Sequence, residues 1–136
     1  MQIILSEMKT LYILIFLISA NLYSCQSQAT NKALSPALFN EKIKATKNHV
    51  ILDVRTSEEY HAGFIPGAIN IDYYNDDFKT DLAKLDRMKT YFLYCETGGR
   101  SASAAKFMRK EGFKNIIELD GGLSAWGEAK LPIIKQ

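Results

Sequence analysis

The sequence predicts an α/β domain, with a central parallel sheet of about four to five strands and helices on both faces. Three observations predict it. Short apolar runs at His49–Val54, Ala68–Ile71, Tyr91–Tyr94 and Ile116–Leu119 alternate with segments of helical period. The runs are apolar throughout, which suits strands covered on both sides. Glycines, prolines and capping residues punctuate the joins.

Each element has its own signal. Ser35-Pro36 opens a helix, with Ser as N-cap and Pro in the first turn. Leu38, Phe39, Ile43 and Leu34 supply its apolar stripe to about Lys47. His49 to Val54 is the first strand. Thr56-Ser57-Glu58-Glu59 has the form of a capping box and starts a short helix that Gly63 ends. Pro66-Gly67 turns the chain into the second strand, Ala68 to Ile71. Thr80 is placed to cap a helix carrying Leu82, Leu85 and Met88. Tyr91 to Tyr94 is the third strand. Ser101 to Glu111 reads as a helix ended by Gly112, and Ile116 to Leu119 is the fourth strand. Gly121-Gly122 leads into a last short helix around Trp126. In such a fold, crossovers are right-handed and ligands collect at the carboxyl ends of the strands.

Composition bounds the rest. The chain has 136 residues, enough for one domain, alone or with a tail. Apolar residues at 47% and charged residues at 24% argue against disorder and against a multi-pass membrane protein. A net charge of +2 gives no support for nucleic acid as a partner. Two cysteines, Cys25 and Cys95, exclude a disulfide scaffold, and two histidines, His49 and His61, leave little for a zinc site. No metal and no cofactor are expected. A monomer is the default.

The first 24 residues read as a targeting segment. Leu11 to Ala20 is an almost unbroken apolar run after Lys9, too short for a span of ~20 residues but suited to a secretory signal. Translation could begin at Met1 or at Met8. Leu22-Tyr23-Ser24-Cys25 resembles the lipobox of bacterial lipoproteins, with Tyr23 departing from the usual small residue. That resemblance implies cleavage before Cys25, lipid on its sulfur and a place at the cell envelope. An ordinary signal cleaved nearby would leave Cys25 free. Residues 25–33 then form a polar tether, and the domain is 34–136.

The chemistry points to one loop, Cys95-Glu96-Thr97-Gly98-Gly99-Arg100-Ser101, which runs from a buried strand into a helix. So tight a turn directs several backbone N–H groups inward, and the helix behind adds the positive end of its dipole. A cysteine at the centre of such a bowl has a lowered pKa. The bowl also suits a small oxyanion. A sulfur nucleophile and an anion site are therefore joined without a base or a metal.

Three blocks carry a family resemblance. Cys-x-x-Gly-x-Arg-Ser after an aromatic strand resembles the active-site loop of single-domain rhodaneses. Leu52-Asp53-Val54-Arg55, Glu58-Glu59-Tyr60 and Gly63 to Asn70 resemble the family's first signature, and Leu119-Asp120-Gly121-Gly122 with Trp126 its last. Phe64 stands where many members have His. The resemblance implies sulfurtransfer. Cys95 attacks a small sulfur-containing anion such as thiosulfate, carries a persulfide, and yields it to cyanide or to a thiol on a small molecule or a protein. Glu96, Thr97, Gly98, Gly99, Arg100 and Ser101 are then the donor-binding loop, with Asp53, Arg55 and Glu59 in support. Cysteine phosphatases have five residues between Cys and Arg. Here there are four, and the smaller bowl favours sulfur over phosphorus.

Several roles stay open in the sequence. Arg100 could clamp the donor or pair with Glu59 or Glu58. Asp53 and Arg55 read as structural groups at a strand end. Glu96 is expected to point to solvent at the rim and influence which donor is accepted. Trp126 reads as a core or lid residue. A persulfide carrier serving one protein partner is the alternative to an enzyme, and Tyr73, Tyr74 and Phe64 are the candidates for an apolar patch at the mouth that would favour it.

Overall fold

The computed structural model describes residues 33–135. The signal expected over 1–24 and the lipid site at Cys25 lie outside the described residues, as does the tether expected over 25–33 except for Ala33. Among the described residues no helix is long and apolar enough to cross a membrane.

The elements run α1 (Pro36–Ala45), β1 (His49–Asp53), α2 (Ser57–Ala62), β2 (Ala68–Asn70), α3 (Phe78–Ala83), β3 (Thr90–Tyr94), α4 (Gly99–Lys110), β4 (Ile116–Glu118) and α5 (Gly122–Glu128). The four strands form one parallel sheet in the order β2-β1-β3-β4. Leu34 adds a single parallel bridge beyond β4, to Leu119. The α/β class, the parallel sheet and the helices on both faces are as the sequence predicts.

Alternation along β3 divides the core in two. Tyr91 and Leu93 pack with Leu52 and Val54 against Phe78 and Leu82 of α3 and Ala104, Ala105 and Met108 of α4. Phe92 and Tyr94 face the other way, with Ile51, Phe39 of α1, and Leu123 and Trp126 of α5. The small residues Ala104 and Ala105 let α4 approach the sheet closely. Phe39 meets Phe92 edge-on at 5.2 Å and Trp126 at 6.2 Å. Trp126 is a core residue whose indole N–H donates to the Pro132 carbonyl at 2.9 Å.

Several boundaries differ from the sequence expectation. Helix α1 stops at Ala45, where Thr46 turns extended and its hydroxyl donates back to the Lys42 carbonyl at 2.7 Å. Ser35 holds the N-cap position without a side-chain bond. Thr80 caps nothing: α3 starts earlier, after Asp77, because Phe78 and Leu82 four residues on are the buried pair that anchors it. The helix ends at Ala83, and Met88 is 81% exposed. Helix α4 begins at Gly99 rather than Ser101, because Gly98 already turns the chain at φ +108°.

Candidate active site

Parallel register decides which residues meet. Asp53 lies opposite Tyr94, so the segments leaving β1 and β3 emerge side by side. The ladder continues one bond further, from the Val54 N–H to the Tyr94 carbonyl at 3.0 Å. Arg55 and the loop from Cys95 are thereby neighbours at the carboxyl edge of the sheet.

Cys95 is buried on the α4 side of the sheet. The Gly98 N–H donates to its Sγ at 3.1 Å, and the Ser101 hydroxyl oxygen lies 3.5 Å from the sulfur. The same hydroxyl is 3.0 Å from the Gly98 carbonyl, so its one proton can serve either acceptor. Burial alone would raise the thiol pKa. Donation from the Ser101 side chain and from the amides of Ser101, Gly98 and Thr97 outweighs it, and the thiol titrates below its ordinary value.

Helix α5 orients this loop from behind. The Leu123 N–H donates to the Cys95 carbonyl at 2.8 Å, and the Ser124 N–H to the Glu96 carbonyl at 3.1 Å. In a trans peptide the N–H points opposite to the C=O. With both carbonyls drawn toward α5, the amides of Glu96 and Thr97 face the other way. Gly122 permits the approach: its φ is +61°, and a β-carbon there would lie 2.5 Å from the Cys95 and Glu96 carbonyl oxygens.

Charged side chains brace the loop. Buried Arg55 binds the Asp53 carboxylate at 2.7 Å, the Gly63 carbonyl at 2.6 Å and Glu96 at 3.2 Å. The Asn70 side-chain amide donates to the Asp53 and Arg55 carbonyls at 3.0 and 2.9 Å. Glu59 closes the capping box with Thr56 and also takes both terminal nitrogens of Arg100, each at 2.7 Å. Arg100 thus has the Glu59 placement of the two that the sequence left open. Its hydrogen bonds hold the Glu59 carboxyl down at about 2.

One expectation about the mouth is refined and another is corrected. The Glu96 side chain is 42% exposed, but it is not free: it is held between Arg55 and the Ser124 hydroxyl, the latter at 2.9 Å. Phe64 is no mouth residue. It is buried, stacked on Tyr60 at 4.3 Å and bridged to Ile134, because the C-terminal segment covers it. Tyr73 packs on Phe78, and Tyr74 is 69% exposed beside the Arg100 guanidinium, 5.7 Å from its ring. Ser124 carried no readable signal in the sequence, and Asn70 only its place at the end of the first signature block. For α5 the signal was Gly121-Gly122, although the Cys95 and Glu96 carbonyls that Gly122 approaches lie 27 and 26 residues back. Among the described residues no group of His, Cys, Asp or Glu could hold a metal ion.

Comparisons with known proteins agree with this geometry. The model of the rhodanese-like domain family matches residues 35–129. The Bacillus subtilis protein named "Putative sulfurtransferase YtwF" is 37% identical over 100 residues, covering 73% of this chain and 94% of that protein. The B. subtilis protein named "Putative sulfur carrier protein YrkF" is 30% identical over 111 residues, and the match spans 59% of its length. The crystal structure of a rhodanese-related protein from Thermoplasma volcanium superposes with a TM-score of 0.68 at 32% identity, over 77% of this chain and 99% of that one. Such relatives support a sulfur-transfer role. By the match over residues 35–129 and the shared fold, the chain belongs to the rhodanese-like domain family.

Proposed function

We propose that this protein is a sulfurtransferase that carries sulfane sulfur as a persulfide on Cys95. The observation that carries the reading is the Cys95 sulfur at the end of β3, met by the Gly98 N–H at 3.1 Å and the Ser101 hydroxyl at 3.5 Å, with its pKa lowered. The thiolate attacks the outer sulfur of thiosulfate or a related donor. A Cys95 S–S bond forms, the donor's S–S bond breaks, and sulfite or a thiolate leaves with the electron pair. A thiol or cyanide then attacks the outer sulfur of the persulfide and frees Cys95 as thiolate. The amides stabilise both the thiolate and the terminal persulfide anion, and they are oriented by α5 before any ligand arrives. Intact mass after donor treatment tests this. Wild-type protein should gain one sulfur atom and Cys95→Ser none; a gain in both or in neither overturns it.

A carrier that passes its sulfur to a docked protein is the second reading. Exposed Tyr74 beside the site and the similarity to a protein named as a sulfur carrier favour it. Turnover with cyanide separates the two: an enzyme cycles repeatedly, whereas a carrier loads once and unloads slowly without its partner.

The reading extends to location. Leu22-Tyr23-Ser24-Cys25 after an apolar run supports export and a lipid on Cys25, which would hold the domain at a cell-envelope membrane. Labelling with radioactive palmitate should mark the wild type and not Cys25→Ala. Label that survives the substitution overturns the anchor.

A further inference from the structure

Helix α1 carries an apolar groove on its outer side. Leu34, Leu38 and Ala45 line it together with Glu41 and Lys42, and its volume is about 390 Å³. Leu34 precedes the helix, and Leu38, Glu41, Lys42 and Ala45 recur at helical spacing, so they share one face. Leu38 is 53% exposed there, while Phe39 beside it is fully buried against the sheet. The helix thus packs one side inward and leaves a second, partly apolar side open along its length.

Positive charge is concentrated in the same stretch. Residues 25–48 hold Lys32, Lys42, Lys44 and Lys47 against the single acid Glu41, whereas residues 49–136 hold slightly more acidic than basic residues. Lys42 lies in the groove, Lys44 on the flank of the helix and Lys47 just past its end. All three are exposed, and among the described residues none makes an ion pair. One acid outside the helix adjoins the groove: the Asp120 N–H donates to the Leu34 carbonyl at 2.8 Å. An apolar stripe flanked by free lysines suits the surface of an anionic bilayer, which takes the apolar side chain and attracts the cations.

The chain enters this groove from the polar stretch that follows Cys25. Eight peptide links join Cys25 to Ala33, a reach of at most about 28 Å. A lipid on Cys25 would keep α1 within that distance of the membrane and make the contact intramolecular, so even a weak contact would be occupied.

We propose that the outer face of α1, with Leu38, Lys42 and Lys47, docks on an anionic lipid bilayer. Leu38 enters the headgroup layer and the lysines meet lipid phosphates. The proposal rests on the anchor at Cys25 and names the side of the domain that the anchor brings to the membrane. Helix α1 packs on the face of the sheet that holds Phe92, and Cys95 lies on the opposite face with α4. Docking through α1 therefore turns the Cys95 side away from the bilayer, toward the aqueous phase.

The test uses the full chain with its lipid, in vesicles of phosphatidylcholine mixed with phosphatidylglycerol and in vesicles of phosphatidylcholine alone. A membrane-impermeant lysine reagent, read by peptide mass, compares Lys42 and Lys47 with the exposed Lys106 and Lys110 of α4 in the same molecules. In anionic vesicles the labelling of the α1 pair relative to the α4 pair should fall about fivefold against neutral vesicles, the effect of one lysine at an anionic surface. High salt should restore it. Leu38→Asp, at an exposed position, should restore it too while the protein still floats with the vesicles. Equal labelling of the two pairs in anionic vesicles, or shielding that Leu38→Asp leaves unchanged, overturns the docking face and leaves the anchor standing. Shielding of the same size in neutral vesicles overturns the anionic partner and assigns the groove to another part of the chain or to a second copy. Protein that floats with neither kind of vesicle overturns the anchor and the docking together.

Discussion

Arg100 grips Glu59 in a two-bond fork, with Nη1 to Oε2 and Nη2 to Oε1 both 2.7 Å. The pair ties the first turn of α4 to α2, across 41 positions of sequence. Arg100 still lies near enough to Cys95 to sense its charge. It therefore favours the thiolate through space while its donors are engaged elsewhere.

A lysine cannot reproduce this fork. Arg100→Lys should lower stability by about 1 kcal/mol, the upper range for a partly exposed pair. Glu59→Gln should cost a similar amount, and the double variant less than the sum of the two, as read from urea midpoints.

The same pair sets a pH dependence. Glu59 is pulled from 4.5 down to about 2, chiefly by its hydrogen bonds to Arg100. A depressed carboxyl pKa stabilises the fold above the unfolded value and loses that effect as pH falls. The stability gap between wild type and Glu59→Gln should be full above 4.5 and close as pH falls toward about 2. A gap that stays constant through that window would assign the effect to packing instead.

Ser101 tunes the Cys95 thiol. Alkylation of Cys95 by iodoacetamide should persist below the pH at which an ordinary thiol, with pKa 9.0, stops reacting. Ser101→Ala removes one donor to the sulfur and should shift the profile upward. At pH below the inflection the rate should fall roughly tenfold, the effect of one hydrogen bond to a charged group. Ser101→Thr, which keeps the hydroxyl, should restore most of it.

Glycines 99 and 122 should respond in opposite ways. A β-carbon at Gly99 meets nothing within 4 Å, so Gly99→Ala should change stability by less than about 1 kcal/mol. At Gly122 it would meet two carbonyl oxygens at 2.5 Å with the backbone at φ +61°. Gly122→Ala should cost about 3 kcal/mol or more and displace the amides from Cys95. The readouts are thermal unfolding and the alkylation profile.

Buried Arg55 depends on Asp53. Asp53→Ala should destabilise by about 3–5 kcal/mol, because it leaves the buried Arg55 guanidinium with only the half-exposed Glu96 carboxylate as counter-charge. Replacing both by apolar residues of similar volume should cost less than Asp53→Ala alone. Urea unfolding of the three proteins decides it.

The capping box, the strand identities and the cysteine before a glycine-rich helix start were all legible in the sequence, because each rests on residues a few positions apart. Thr56 and Glu59 cap α2 as their spacing predicts. Helix α3 starts at Phe78 and not after Thr80, because burial of Phe78 overrides the capping preference of Thr80.

Residue types and local spacing determined by themselves that this is a parallel α/β domain, and they pointed to Cys95 as its reactive group. Tertiary structure alone decided where the charges go. Arg100 with Glu59, Arg55 with Glu96, and Ser124 with Glu96 are joined across 41, 41 and 28 positions. Local sequence specifies turns and periods, whereas these partners meet only after parallel register has brought the ends of β1 and β3 together and α5 has docked its amides behind the loop.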